Sequence, residues 1–312
     1  MVVEFLILAV CACVGIALQR RVRGDAIRDW LWRANLAVVL PLAATYAFLA
    51  IDLDRRMLAV VACAVVAWWL TVGAAGLVAR LVTGGDGAAH RSRRGALWLV
   101  GAFPNTGFLG FPLARIAYGD DGLQLAIVYD QVSLLIPAIV VGVVIAARHA
   151  DPADPDVPTA RPGVVRAVLS SPPVWAVLVL VALRLTVVRD PVELELLGAV
   201  VGAVVGPIGF FLLGLSIPLH GVSHGVRELG QTSAAIVVRM AVAPLLVWAV
   251  ASVARIEVPA ALYLIAAMPT AFHALVVARV YRLDVGVLRA GIVLSSVLAI
   301  AVTAVVATVH GA

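Results

Sequence analysis

The chain has 312 residues, of which 63% are hydrophobic and 13% are charged, and its formal net charge is +5. Soluble domains carry about 25% charged residues, so this composition excludes an ordinary water-soluble fold and indicates a protein embedded in lipid. The chain has no lysine, and its arginines lie scattered at the ends of apolar segments. That scatter is typical of topology signals and argues against a nucleic-acid-binding surface.

Ten apolar segments approach the roughly 20 residues that a helix needs to cross the bilayer core. The sequence therefore predicts an all-α polytopic membrane protein with ten transmembrane helices. Five are expected in residues 1–147 and five in residues 172–312, separated by a Pro-rich linker at 148–171. In chain order the predicted segments are 2–19, 30–50, 57–81, 95–117, 122–147, 172–189, 194–219, 231–254, 258–279 and 287–309.

The arginine counts in the loops predict how these helices are oriented. Sixteen arginines lie on the side of the loops that follow odd-numbered segments, and six lie on the other side. Because basic residues are enriched in cytoplasmic loops, the first side is expected to be cytoplasmic. Both termini would then be extracytoplasmic, and the protein would be a multi-pass component of the cytoplasmic membrane.

Two prolines mark an internal duplication. Pro104 in the fourth segment and Pro269 in the ninth are 165 residues apart, and an Ala-Arg pair follows each of them. A polar residue also follows each proline after the same 26 residues, Asp130 in the first half and Ser295 in the second. Because five segments is an odd number, the second half must enter the membrane upside down. We therefore predict a 5+5 inverted repeat.

The same prolines are predicted to break their helices inside the bilayer, since proline cannot donate a hydrogen bond to the preceding turn. The alternative is a kink in a continuous helix. Where two half-helices begin inside the membrane, their positive N-terminal ends converge on a site suited to an anion. The polar residues beside or near the breaks are the candidate substrate-binding residues: Asn105, Thr106, Gly107, Thr270, His273 and Ser295.

Ionisable residues inside a membrane are expensive and usually face a cavity or a partner. Asp130, with the adjacent Gln131, is a candidate for proton or ion coupling or, alternatively, a buried acceptor that holds the first break together. His273 could carry charge near neutral pH, pairing with a carboxylate substrate or coupling protons, or it could be structural. For Arg239 a structural role, as a partner for Asp130, is favoured over that of a counter-charge for the substrate.

Catalytic and metal-binding patterns are not found in the sequence. There is no Ser-His-Asp arrangement and no HExxH motif, so an enzyme is not expected. His220 and His224 have a spacing that metal ligands use, but further ligands are missing around them. Neither a metal nor a cofactor is therefore expected.

Three motifs resemble those of a known family. Residues 103–113, FPNTGFLGFPL, resemble the fourth-helix signature of the auxin efflux carrier family, which includes plant PIN-type carriers and bacterial permeases of small organic acids. Residues 268–271, MPTA, are similar to its ninth-helix crossover, and residues 207–214 to its seventh helix. The chain is identified as a bacterial member, and its short linker lacks the long regulated loop of plant members. His273 departs from the pattern, which has a small or amide residue there.

The resemblance implies a secondary transporter that moves a small organic anion, such as a carboxylate, by alternating access of a mobile bundle against a scaffold. It also implies crossing helices at the two breaks and a homodimer. Two alternatives stay open: a sodium-coupled symporter with the bile-acid type of crossover, and a non-transporting membrane sensor or assembly subunit. Sodium-dependent flux would identify the first, and ligand binding without flux the second.

Overall fold

The structure is a computed structural model that describes residues 2–19, 30–31, 34–50, 54–85, 87–131, 136–152, 154, 191–216 and 226–310. Throughout these ranges the regular structure is helical, apart from one isolated antiparallel bridge. The sixth predicted segment, most of the predicted linker, and the pair His220 and His224 lie outside the described residues.

Among the residues that the structure describes before the linker, six helices have defined bounds, and two of them follow a π-helical turn. They are α1 (Val2–Leu18), α2 (Leu40–Ala50, after the π turn Asn35–Val39), α3 (Arg55–Thr83), α4 (Ala88–Ala102), α5 (Phe111–Tyr129, after the π turn Thr106–Gly110) and α6 (Ile136–His149).

Six described helices follow the linker. They are α7 (Pro191–Ser216), α8 (Val226–Val237), α9 (Ala243–Ala254, joined to α8 by the π turn Val238–Val242), α10 (Ala260–Ala266), α11 (Phe272–Val280) and α12 (Val285–His310).

Helices lie in every predicted segment except the sixth, which is not described. Within the described ranges, four stretches are long and apolar enough to cross a membrane by themselves, and shorter apolar helices accompany them. The long stretches are Arg55–Thr83, Leu194–Leu215, Glu228–Ala254 and Val285–Val302. The chain is therefore a multi-pass membrane protein, whereas the count of ten spans stays a prediction.

A glycine marks the boundary between the fourth and fifth predicted segments. Both segments run into the single helical element α5, where Gly119 alone has non-helical torsion angles, φ 67° and ψ −157°. Residues with a Cβ rarely adopt that conformation, so glycine is what lets the chain turn between the two segments without a longer loop.

Close packing joins the two halves of the chain. α1 lies along α7, and a Cβ added at Gly15 or Gly214 would overlap backbone atoms of the facing helix. At the centre, α4 packs against α3, α8 and α12. α4, which ends two residues before the first proline, is therefore surrounded by elements from both halves.

Candidate functional site

The helices are interrupted at both prolines, and the two interruptions cross each other. α4 ends at Ala102 and α10 ends at Ala266, and the extended residues beyond them form the antiparallel bridge between Pro104 and Thr270. The backbone N–H of Asn105 donates to the carbonyl of Pro269 at 2.6 Å, and that of Ala271 donates to the carbonyl of Phe103 at 2.9 Å. Unwound backbone is stable inside a bilayer only when its N–H and C=O groups have hydrogen-bond partners. Here the two unwound segments provide such partners for each other. We call this pair of segments, residues 103–105 and 267–271, the crossing.

The proline at position 104 also explains a side-chain contact across the crossing. In an unbroken helix the N–H of residue 104 would bond the carbonyl of Val100, but proline has no such donor. The hydroxyl of Thr270 donates to that carbonyl instead, at 3.0 Å, and the Thr270 side chain is completely buried. Thr270 of the second broken helix thus supplies the hydrogen bond that Pro104 of the first cannot make.

Arg239 holds the ends of both broken helices. Its Nη1 donates to the carbonyl of Ala102 at 3.1 Å, and its Nη2 donates to the carbonyl of Ala266 at 2.5 Å. These carbonyls are at the C-terminal ends of α4 and α10, where the helix dipole leaves negative partial charge. One buried guanidinium therefore neutralises two helix ends. Its hydrogen bonds go to these carbonyls, whereas the sequence suggested Asp130 as its partner.

The polar residue 26 positions beyond each proline accepts a hydrogen bond from a residue at or next to the crossing. Thr106 donates its hydroxyl to Oδ1 of Asp130, and Gln131 donates to Oδ2 of the same carboxylate at 3.1 Å. In the second half, the N–H of Thr270 donates to Oγ of Ser295 at 3.1 Å. The two acceptors occupy corresponding places in the sequence repeat, whereas the donors differ: Thr106 is two residues past its proline and Thr270 is one residue past its own.

The candidate substrate residues differ in accessibility. Asn105, Thr106, Thr270 and Ser295 are buried at the crossing, each 2% exposed or less. Gly107, like Asp130, is half-buried. His273 lies apart from this hydrogen-bonded cluster: its side chain is exposed, with its ring edge-on to Phe103 at a centroid distance of 5.5 Å.

Asn105 has an unused donor. Its Oδ1 accepts from the N–H of Phe108 at 3.3 Å and caps the π turn that leads into α5. Its Nδ2 is buried and has no hydrogen-bond partner among the described residues. The site therefore offers an amide donor beside the N-terminal end of a half-helix, and both features favour an anionic ligand.

Sequence reasoning missed one contact that completes the site. The indole Nε1 of Trp68, in α3, donates to the carbonyl of Ala102 at 3.1 Å, beside the bond from Arg239. A tryptophan in an apolar helix carries no signal of this role, because its partner lies on another helix. As for metals, the described residues contain no group of three or more His, Cys, Asp or Glu side chains that could hold one.

Two broken helices that cross inside an apolar bundle define a class of protein, the multi-pass membrane transporters. The family model described as membrane transport protein matches residues 16–307, so the chain belongs to this family. It is the auxin efflux carrier family that the sequence motifs resemble, and that prediction is confirmed. A comparison with curated proteins finds no match.

Proposed function

We propose that this transporter is a secondary carrier of small organic anions, such as carboxylates, in the cytoplasmic membrane, and that it works by alternating access. The observation that carries the proposal is the unpaired Nδ2 of Asn105, which is buried at the crossing. A buried donor without a partner costs about 1–3 kcal/mol. A carboxylate oxygen placed at this nitrogen would remove that cost.

The N-terminal ends of the two half-helices also favour an anion at the crossing. The helical stretch that starts at Thr106 continues through its π turn into α5, so its positive end lies at the crossing. On the other side, α11 starts at Phe272, and Ala271 before it provides no side-chain cap. His273 lies in the first turn of α11 and adds a ring N–H donor.

We divide the candidate residues by what they already bind. Asn105, Gly107 and His273 are the proposed direct contacts, because each has an unused donor or an accessible surface. Thr106, Thr270 and Ser295 hold the crossing together, and they reach the substrate only when the crossing rearranges. Pro104 and Pro269 keep both helices open.

In our proposal, residues 1–147 and 172–312 form the inverted repeat, joined by a cytoplasmic linker at 148–171, and both termini are extracytoplasmic. Alternating access requires a mobile bundle and a scaffold, and each would contain helices from both repeats. Asp130 and Ser295 support this symmetry, because each lies 26 residues past its proline and accepts a hydrogen bond from a residue at or next to the crossing. The closely packed pair α1 and α7 would belong to the scaffold, through which two copies of the chain would form a homodimer.

Asp130 is the proposed coupling group, with Gln131 as its neighbour. Its carboxylate accepts from Thr106, the first residue after the crossing. A protonated carboxyl can donate as well as accept, so uptake of a proton would change the hydrogen bond at the start of the half-helix. Proton binding and opening of the crossing would thereby be linked.

Ligand-induced thermal stabilisation of the purified protein tests the proposal. A panel of carboxylates is compared with uncharged analogues, with and without sodium, for the wild type and for Asn105→Asp. Stabilisation by a carboxylate that is lost in Asn105→Asp supports the proposed site. Stabilisation that requires sodium would instead favour the bile-acid type of symporter, and binding without flux in proteoliposomes would favour a sensor.

A further inference from the structure

A cavity lies outside the crossing, between α1, α5 and α7. It is half-enclosed and has a volume of about 280 Å³. Its walls are mainly apolar, with Leu8 from α1, Pro112 and Ile116 from α5, and Val205 from α7. Gly206 contributes to the space, because a Cβ there would be 3.0 Å from Leu8 and 3.4 Å from Pro112.

Arg115 is the charged residue among the described side chains that line this cavity. Its Nε donates to Oδ1 of Asp120 at 3.0 Å, and its side chain is 32% exposed. The guanidinium lies against Gly202 of α7, and a Cβ at that position would overlap Cζ and both terminal nitrogens. The ion pair uses Nε, so the terminal nitrogens are the part of the group that faces α7.

We propose that this cavity binds a small monocarboxylate with a short apolar tail. Arginine presents parallel N–H donors that match the two oxygens of a carboxylate. The apolar walls suit the tail, and ligand pockets of this kind usually start at about 300 Å³, so the ligand is small. A dicarboxylate would leave its second charge against apolar side chains, which is costly.

The cavity lies beside the turn that leads from the crossing into α5. Phe111, one of its lining residues, directly follows the π turn that starts at Thr106. A Cβ at Gly209 of α7 would be 3.1 Å from the carbonyl oxygen of Phe108, so α7 closely covers this turn. We infer that the cavity holds an anion before or after it occupies the crossing, and that passage between the two requires α7 to move away from this turn. This role rests on the proposed function, whereas binding at Arg115 does not.

Equilibrium binding of radiolabelled hexanoate to the full chain, in nanodiscs of zwitterionic lipid, tests the inference by counting sites. The wild type is expected to bind at two sites. Arg115→Gln should weaken one of them about ten- to one-hundredfold, the loss expected for hydrogen bonds to a charged group. Gly202→Ala should do the same without removing the charge, because its methyl group displaces the guanidinium. Arg279→Gln is the matched control: it removes the exposed arginine of the second Ala-Arg pair and should leave both sites intact.

Three results would overturn the inference: two unchanged sites in Arg115→Gln and Gly202→Ala, equal binding of hexanol at the Arg115 site, or displacement of hexanoate from that site by an anionic lipid. The first removes the arginine site, the second makes it an apolar crevice, and the third assigns it to a lipid headgroup. Asn105→Asp separates the two proposals. If it leaves both sites unchanged while Arg115→Gln removes one, the proposed function fails at the crossing and the cavity site stands.

Discussion

Removal of the Arg239 guanidinium should lower the stability of the protein more than the loss of a neutral hydrogen bond at the same helix end. Arg239→Met keeps an apolar stem but removes both donors. The carbonyl of Ala266 then loses the partner described for it, at a cost of about 1–3 kcal/mol. The carbonyl of Ala102 keeps the indole of Trp68, so its loss is nearer to that of one ordinary hydrogen bond, about 1 kcal/mol. The expected total is about 2–4 kcal/mol.

Thermal unfolding of the detergent-solubilised protein measures this loss. In larger domains 1 kcal/mol corresponds to about 2–4 °C, so a loss of about 2–4 kcal/mol should lower the apparent Tm by about 4–16 °C. Trp68→Phe is the matched control, because it removes one neutral bond to the same Ala102 carbonyl and should lower the Tm by about 2–4 °C. A variant Arg239→Met as stable as the wild type, or more stable than Trp68→Phe, would refute this reasoning.

Three further predictions concern other parts of the bundle. Ser295→Ala should destabilise the protein by about 1–3 kcal/mol, because it leaves the N–H of Thr270 unpaired. Ser296→Ala removes a buried hydroxyl without a described partner, so its effect on stability should be close to zero. Equal Tm values for the two variants would contradict this prediction. Gly214→Ala should destabilise the protein by about 1–3 kcal/mol, because α1 and α7 must move apart to accommodate the methyl group. Gly73→Ala should leave the stability unchanged, because its Cβ meets no atom within 4 Å. Similar Tm values for the two variants would contradict this prediction. Asp130→Asn should flatten the pH dependence of carboxylate flux, and an unchanged pH profile would exclude this residue from coupling.

The proline breaks could be predicted from the sequence because their cause is local. Proline removes a donor wherever it occurs, and the spacing of Asp130 and Ser295 from the two prolines is visible in the chain itself. The motif around Pro104 also predicted the family correctly.

The partners across the crossing could not be predicted, because they depend on how distant helices pack. Nothing in the sequence says that Thr270 bonds the carbonyl of Val100, or that Arg239 bonds two helix ends and not Asp130. The exposure of His273 is of the same kind. Its place beside the second break is local, but the side that it faces is set by the packing of α11.

Carboxylate flux in proteoliposomes tests the central claim most directly. The wild type is compared with Asn105→Asp, which keeps an oxygen to cap Phe108 but replaces the unpaired amide donor, and with Asn35→Asp. Asn35 is the matched control because it is also buried, with an amide nitrogen that lacks a described partner, but it lies in the π turn before α2. Our account predicts flux in the wild type and in Asn35→Asp, and at least a tenfold loss in Asn105→Asp. Absence of flux in the wild type, or equal flux in all three proteins, would contradict it.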